Sequence, residues 1–419
     1  MRVLIKTVYS LLLRLASIFV CKRPNNILFL PHKNCKNDNY DIINYQSDNV
    51  LCLINYLIST NSYNNYRFFI RIYDDSKKEE YANYIRNKGF KGEVDFISID
   101  DSWSLIKAFL KSRFILSDNF YEPNLYKIKR QISVCLGYYA APFKDDYCKI
   151  MQMGKVRRDI DRVIKNIAYD YHVSTSDLAS QGVSLDSQIE YYKFISLGYP
   201  RNDELLKNNQ WFKDRLVETI GFKPRYIFVY APTHRDYERP ENRTRDEQRS
   251  IFGWASTSDL QELQIMLEKM DAIIVAKIHP RQERSIIKDS FSNRIFFLSS
   301  FNMIGGNLQL LLSISDVLIT DYSSVFYDYL LLNRPIVHYC YDYEQNVKAR
   351  GFFIDPIDPF FAGDVVYKLE ELPDVLNENI VNPKKNEDKR NRVRSLVFKY
   401  NDGNACKRIA DFFFSNNEK

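Results

Sequence analysis

The feature that most constrains this chain is a repeated change of period. Short apolar runs alternate along it with segments of helical spacing. NILFLPH (26–32), YRFFIRIY (66–73) and residues 94–99, 114–116 and 132–136 have strand character, and 50–59, 77–88 and 103–111 between them are spaced as helices. Strands alternating with helices make βαβ units, and βαβ units build parallel sheets. A helix-rich stretch over about 147–190 and a strand at 193–197 lead to GYPRND (198–203). That Gly/Pro break, with the polar 205–224 after it, marks a domain boundary. The alternation then restarts. Strands are expected at 226–230, 272–276, 295–298, 317–319 and 336–339, and helices at 257–270, 308–314, 323–332, near 365–376 and near 405–414. The expected fold class is α/β: two doubly wound Rossmann-type domains facing a cleft, 24–204 and 205–419, after an N-terminal helix over 1–23.

The 419 residues suit two cores of about 200 residues each. A net charge of +6 is modest for this size; it suits an anionic substrate or membrane surface and gives no argument for nucleic acid. The seven cysteines have no CxxC spacing and are odd in number, which excludes a disulfide framework and a zinc ribbon. Charge is uneven, however: Met1 to Asn37 carries seven basic residues and no acidic one. Within it, VLIKTVYSLLLRLASIFV (3–20) is apolar but interrupted by Lys6 and Arg14. A charge near the centre of a membrane span costs about 2.5–3.5 kcal/mol. A basic amphipathic helix lying on an anionic leaflet fits better than a span or a helix packed on the domain.

Polar clusters recur where apolar runs end. Pro232-Thr233-His234-Arg235-Asp236, Lys277-Ile278-His279-Pro280-Arg281, Ser299-Ser300 and Thr320-Asp321-Tyr322-Ser323-Ser324 all follow strands. Ligands of open parallel sheets bind outside the carboxyl ends of strands, so these clusters should line one edge of the second domain. Either serine of Ser323-Ser324 is placed to cap the following helix, and free N–H groups there, with two hydroxyls, make a phosphate cradle. Lys277, His279 and Arg281 add positive charge beside it. His279 has no second His or Cys at ligand spacing, so it reads as a phosphate donor or general acid or base, or as a satisfied core histidine, rather than a metal ligand. His234 is divided between a cleft donor and a bystander. No Walker loop, GxGxxG after a strand, GxSxG or HExxH is present, which removes support for kinase, dehydrogenase, serine hydrolase and metalloprotease readings.

Six motifs in order, GYPRND (198–203), YAPTHRD (230–236), KIHPR (277–281), LITDYSSVFYDYLLLNRPIV (318–337), YDYE (341–344) and RGFFID (350–355), resemble the CDP-glycerol glycerophosphotransferase family of teichoic-acid primases and polymerases. The resemblance covers the second domain nearly end to end. It implies a GT-B-like fold whose second domain holds the CDP-donor. It implies an acceptor hydroxyl attacking the β-phosphorus of a CDP-polyol, glycerol before ribitol, with release of CMP and no cofactor. The product would be a teichoic-acid-like, capsular or O-antigen polymer. His279 would contact or protonate the diphosphate, Ser323 and Ser324 would hold phosphate oxygens, and Asp321 would orient the loop or the ribose. Thr233, His234, Arg235, Lys277 and Arg281 complete the expected donor site. The acceptor would be lipid-linked or a glycan, met at the cytoplasmic face of the membrane by a peripheral protein.

The first domain departs from the family pattern. VCLGYYAAPFK (134–144) stands where the family carries a Trp-His whose His is taken as the base, and Tyr138 occupies that place. A tyrosine near its usual pKa of about 10 is a weak base at neutral pH. Tyr138 activated by Lys144, or His32 or Asp118 in its stead, are the candidates. A GT-B glycosyltransferase with a nucleotide sugar, or a non-catalytic membrane-bound relative, are the other readings the altered loop leaves open.

Overall fold

A computed structural model describes residues 12–13, 15–16, 18–20, 23–32, 41–118, 128, 130–137, 154–233, 235, 251–253, 257–278, 293–301, 307–349, 351–352, 354 and 356–415. They divide into two compact units. One runs through Glu204 and takes back Lys399 onward; the other holds Leu205–Phe398.

The first unit carries β1 (Arg23–Leu30), β2 (Arg67–Ile72), β3 (Glu93–Ser98), β4 (Ser112–Ser117), β5 (Ile132–Cys135), β6 (Tyr171–Ser174) and β7 (Phe194–Ser196). They lie in the order β3-β2-β1-β4-β5-β6-β7, every pair parallel. Helices on both faces of a parallel sheet bury both sides of its central strands, which is why β1 is a run rather than an alternation: Ile27, Leu28 and Phe29 are all fully buried. Side-chain caps fix where helices start. Asp48 accepts from Leu51 N ahead of the helix Asn49–Ser59, and Asp101 from Ser104 N ahead of Ser102–Lys111.

Three expectations need correction. The helix-rich stretch over 147–190 also contains an unexpected strand, β6, whose four residues are too few to display a period; pairing with β5 and β7 decides them. The C-terminal helix, Ala405–Phe414, joins the first unit rather than the second. Its first amides, Ala405 N and Cys406 N, both donate to the Asp203 carboxylate at 2.9 Å, and Phe414 meets Phe114 edge-on at 5.1 Å. The helix near 365–376 begins instead as a strand, β13 (Asp364–Val366), and turns helical only at Leu372–Val381.

The second unit contains β8 (Tyr226–Tyr230), β9 (Ala272–Ala276), β10 (Ile295–Phe297), β11 (Val317–Thr320), β12 (Ile336–Tyr339) and β13 in the order β10-β9-β8-β11-β12-β13, again all parallel. Its core divides between the two faces, with Ile227, Val229 and Leu318 on one and Phe228, Ile274 and Ile319 on the other. Strand order reverses between β1 and β4 in the first unit and between β8 and β11 in the second. Those reversals are where doubly wound sheets open a crevice for ligands.

At the N-terminus the described residues are helical at Leu12–Leu13 and Leu15–Ala16. Leu13 is buried with Leu28, Leu30 and Phe109, whereas Leu12 (58%), Leu15 (60%), Ile18 (73%) and Phe19 (88%) are exposed. Among the described residues no helix is long and apolar enough to cross a membrane.

Candidate active site

The reversal in the second unit is built from the ends of β8 and β11. The two strands are in register at Ile319 and Tyr230, and Ala231 N continues the ladder onto Ile319 O at 2.9 Å. That register sets Thr233 opposite Asp321. The Asp321 carboxylate is fully buried. It accepts from Thr233 N (2.9 Å to each oxygen), Thr233 Oγ1 (2.7 Å) and Ser323 N (2.9 Å).

Arg235 closes the arrangement from beneath. Its guanidinium is 4% exposed and forms a two-point pair with Asp342, Nε to Oδ2 at 2.8 Å and Nη2 to Oδ1 at 2.9 Å. Nη1 reaches Asp321 Oδ2 at 2.6 Å and the Thr233 carbonyl at 2.6 Å. Tyr322 Oη donates to Asp342 Oδ1 at 3.1 Å, and the Arg235 guanidinium lies 4.9 Å from the Tyr341 ring centre. Burial works against the Arg235 charge, but Asp321 first and then its other partners raise its pKa well above the usual value. Charge buried this way is held by planar, multiply bonded partners.

The same cluster fixes the backbone of Asp321. Ala362 N donates to His338 Nε2 at 3.2 Å, which leaves the proton on Nδ1 to donate to the Asp321 carbonyl at 3.0 Å. Burial pushes the His338 pKa down to about 4, so this ring is neutral at physiological pH.

The structure therefore divides the expected donor site. Thr233, Arg235 and Asp321 come together, but their side chains bond to one another. They set the position of the rim: three Arg235 N–H groups are committed to hydrogen bonds within the cluster, and Nη1 also pairs with Asp321. Ser323 and Ser324 stand half-buried on the rim itself, and Ser324 begins the next helix without a side-chain cap bond. The helix expected over 323–332 is shorter, Val325–Tyr329 followed by a 3₁₀ turn at Leu330–Leu332, so hydroxyl donors count for more here than a helix dipole. Lys277 follows β9, beside β8, and is half-buried on the same edge. His234, His279, Arg281 and Tyr138 lie outside the described residues.

The sequence motifs contain Asp342 and Tyr322 but give neither a role. The signal was available: Asp342 also follows a strand, β12, and an arginine after a buried strand requires a counter-ion.

A family model described as CDP-Glycerol:Poly(glycerophosphate) glycerophosphotransferase matches residues 27–415. The chain belongs to this family. Among curated relatives, the teichoic acid glycerol-phosphate primase of Bacillus subtilis (strain 168) is 27% identical over 315 residues, 74% of this chain and 76% of that protein. The teichoic acid ribitol-phosphate primase of Bacillus spizizenii is 26% identical over 72% of this chain and 75% of its own length. Among solved structures, the wall teichoic acid polymerase TagF superposes with a TM-score of 0.71 at 21% identity, covering 98% of this chain and 92% of that one. The likeness to TagF shows the GT-B-like fold that the motifs implied. For a glycerophosphotransferase of this fold, the rim at Asp321–Ser324 is the part of the second unit's switch point that the described residues display.

Proposed function

We propose that this chain transfers polyol phosphate, glycerol phosphate first, from a CDP-polyol to an acceptor hydroxyl in the synthesis of a teichoic-acid-like cell-surface polymer. The acceptor oxygen attacks the β-phosphorus as its proton passes to a base. The pyrophosphate P–O bond breaks toward CMP, and a phosphodiester forms. Phosphoryl transfer of this kind asks the protein for positioning and charge neutralisation more than for covalent chemistry. The observation that carries the reading is the rim itself: two serine hydroxyls at the switch point, on a loop fixed from beneath by a buried Thr233–Asp321–Arg235–Asp342 network. In this reading Ser323, Ser324 and Lys277 hold phosphate oxygens. His279 donates to or protonates the diphosphate, Arg281 and His234 are further phosphate contacts, and Tyr138 faces the acceptor.

The relatives' names include both glycerol-phosphate and ribitol-phosphate enzymes, so CDP-glycerol and CDP-ribitol are the two donors to offer. CMP release by the purified protein, with a membrane extract as acceptor source and His279→Ala as control, tests the reading. Release above the control names the donor; equal release from both proteins refutes it.

The acceptor is proposed to be lipid-linked and the protein to work peripherally at the cytoplasmic membrane face. Exposed Leu12, Leu15, Ile18 and Phe19 beside a run of basic residues support this, since an amphipathic basic helix binds an anionic surface.

A further inference from the structure

The strand-order reversal of the first unit holds an ionisable cluster that the proposed transfer leaves unused. Asp118 follows β4 and Pro31-His32 follows β1, so both stand at that reversal. Between them lies the first turn of the helix Asn49–Ser59. Asp48, its cap, accepts from Leu51 N through Oδ1 at 2.8 Å and from His32 N through Oδ2 at 3.1 Å. Asp118 Oδ2 accepts from Val50 N at 3.2 Å. Asp118 is 3% exposed, and its Oδ1 finds no donor among the described residues. The two carboxyl groups meet side by side.

Two ionised carboxylates so placed, away from water, repel each other, and a single proton between them removes the repulsion. That proton also gives Asp118 Oδ1 the bond it lacks. Both Asp48 oxygens already accept from N–H groups, whereas Asp118 Oδ1 accepts from none among the described residues. The proton therefore belongs on Asp118.

The same helical turn ties further strand ends together. Asn49 Nδ2 donates to the Gly137 carbonyl at 2.5 Å, just past β5, and Asn49 Oδ1 accepts from Arg201 N at 3.1 Å, in the helix Pro200–Leu205 that follows β7. Residues 48–50 thus connect the segments that leave the ends of β1, β4, β5 and β7. Gly137 has no latitude of its own: it sits at φ +85°, and a Cβ there would strike the Tyr199 ring.

We propose that Asp118 works as a protonated carboxyl whose O–H grips the Asp48 carboxylate, and that this grip positions the acceptor-side rim around Gly137. The link to turnover rests on the transferase reading; the grip itself does not. Asp118 is then a positioning residue and not the acceptor's base. Burial first, then the Asp48 charge, hold the Asp118 pKa well above the carboxylate range, with Arg201 pulling the other way. Among the described residues the Cys135 thiol also faces Asp118, and burial pushes it up to about 12; His32 reaches Asp48 through its backbone N. A pKa raised in the folded state means that the stabilisation is present at low pH and is lost as pH rises through the raised value.

The test uses the full chain as wild type, Asp118→Asn and Asp118→Ala. Thermal midpoints and CMP release are followed from neutral to alkaline pH. Asparagine copies the protonated acid: its amide donates to Asp48 while its oxygen still accepts from Val50 N. Asp118→Asn should keep wild-type melting and turnover at neutral pH and lose the alkaline decline in both. Asp118→Ala should lose about tenfold or more in CMP release at neutral pH, because Val50 N and Asp48 are left without their partner. A folded but inactive Asp118→Asn would make Asp118 a base and overturn the proposal, as would an alkaline decline in melting unchanged by that substitution. If wild type releases no CMP from either donor, the transferase reading fails, while the melting profiles still decide the grip.

Discussion

Replacing Arg235 should damage the second unit far more than replacing its partner Asp342, although the two form one pair. The cluster holds one cation and two carboxylates, all nearly sealed from water: Arg235 is 4% exposed, Asp342 2% and Asp321 0%. Arg235→Met leaves both carboxylates buried with no cation, and breaking a buried pair in this way costs about 3–5 kcal/mol. Asp342→Asn leaves Arg235 facing Asp321 at 2.6 Å and keeps an oxygen for the guanidinium and for Tyr322. What it loses is the acceptor for one guanidinium N–H and the charge assistance of the remaining bonds, about 1.5–3 kcal/mol. Native-state hydrogen exchange on peptides spanning Tyr226–Tyr230 and Val317–Thr320 isolates the second unit. There Arg235→Met should speed exchange about 150- to 5000-fold, and Asp342→Asn about 10- to 150-fold. Equal acceleration by the two substitutions, or none by Arg235→Met, would refute the view that the buried cation holds the rim.

Other consequences come from the same geometry. His338 titrates far below its unfolded value, so the stability it provides is present above about pH 6.5 and is lost as pH falls toward about 4, by roughly 3 kcal/mol; an acid melting profile checks this, and His338→Gln should flatten that limb. The double substitution Ser323→Ala/Ser324→Ala should lower CMP release at least tenfold with the melting midpoint unchanged, since the rim is fixed by backbone and buried groups rather than by the hydroxyls. Deleting residues 1–20 should abolish sedimentation with anionic vesicles and spare turnover on a soluble acceptor; unchanged sedimentation would remove the surface helix from the account. Gly363→Ala should destabilise the second unit, measured by the same exchange experiment, because its Cβ would enter the Ile336 carbonyl on β12.

What the sequence carried most clearly was what repeats. Ile27–Leu30, Tyr226–Tyr230 and Ala272–Ala276 are apolar runs flanked by polar stops, and such runs between helices have few homes besides a parallel sheet. Those polar stops also marked the site, because a parallel sheet puts all its strand ends on one edge; Thr233, Lys277, Asp321 and Ser323 were legible for that reason. Elements of three or four residues such as Tyr171–Ser174 and Asp364–Val366 were not, since neither is long enough to show a period and only the neighbouring strand decides it. The return of Ala405–Phe414 to the first unit was equally hidden, because its anchors, Asp203 and Phe114, are hundreds of residues away in the chain. The same holds for what each polar residue does. The sequence set Arg235 and Asp321 at the strand-end edge, and only the packed structure turned their charges inward. Whether an ion faces solvent or another ion depends on which strand ends become neighbours, and the order of strands in a sheet is a property of the fold rather than of any one segment.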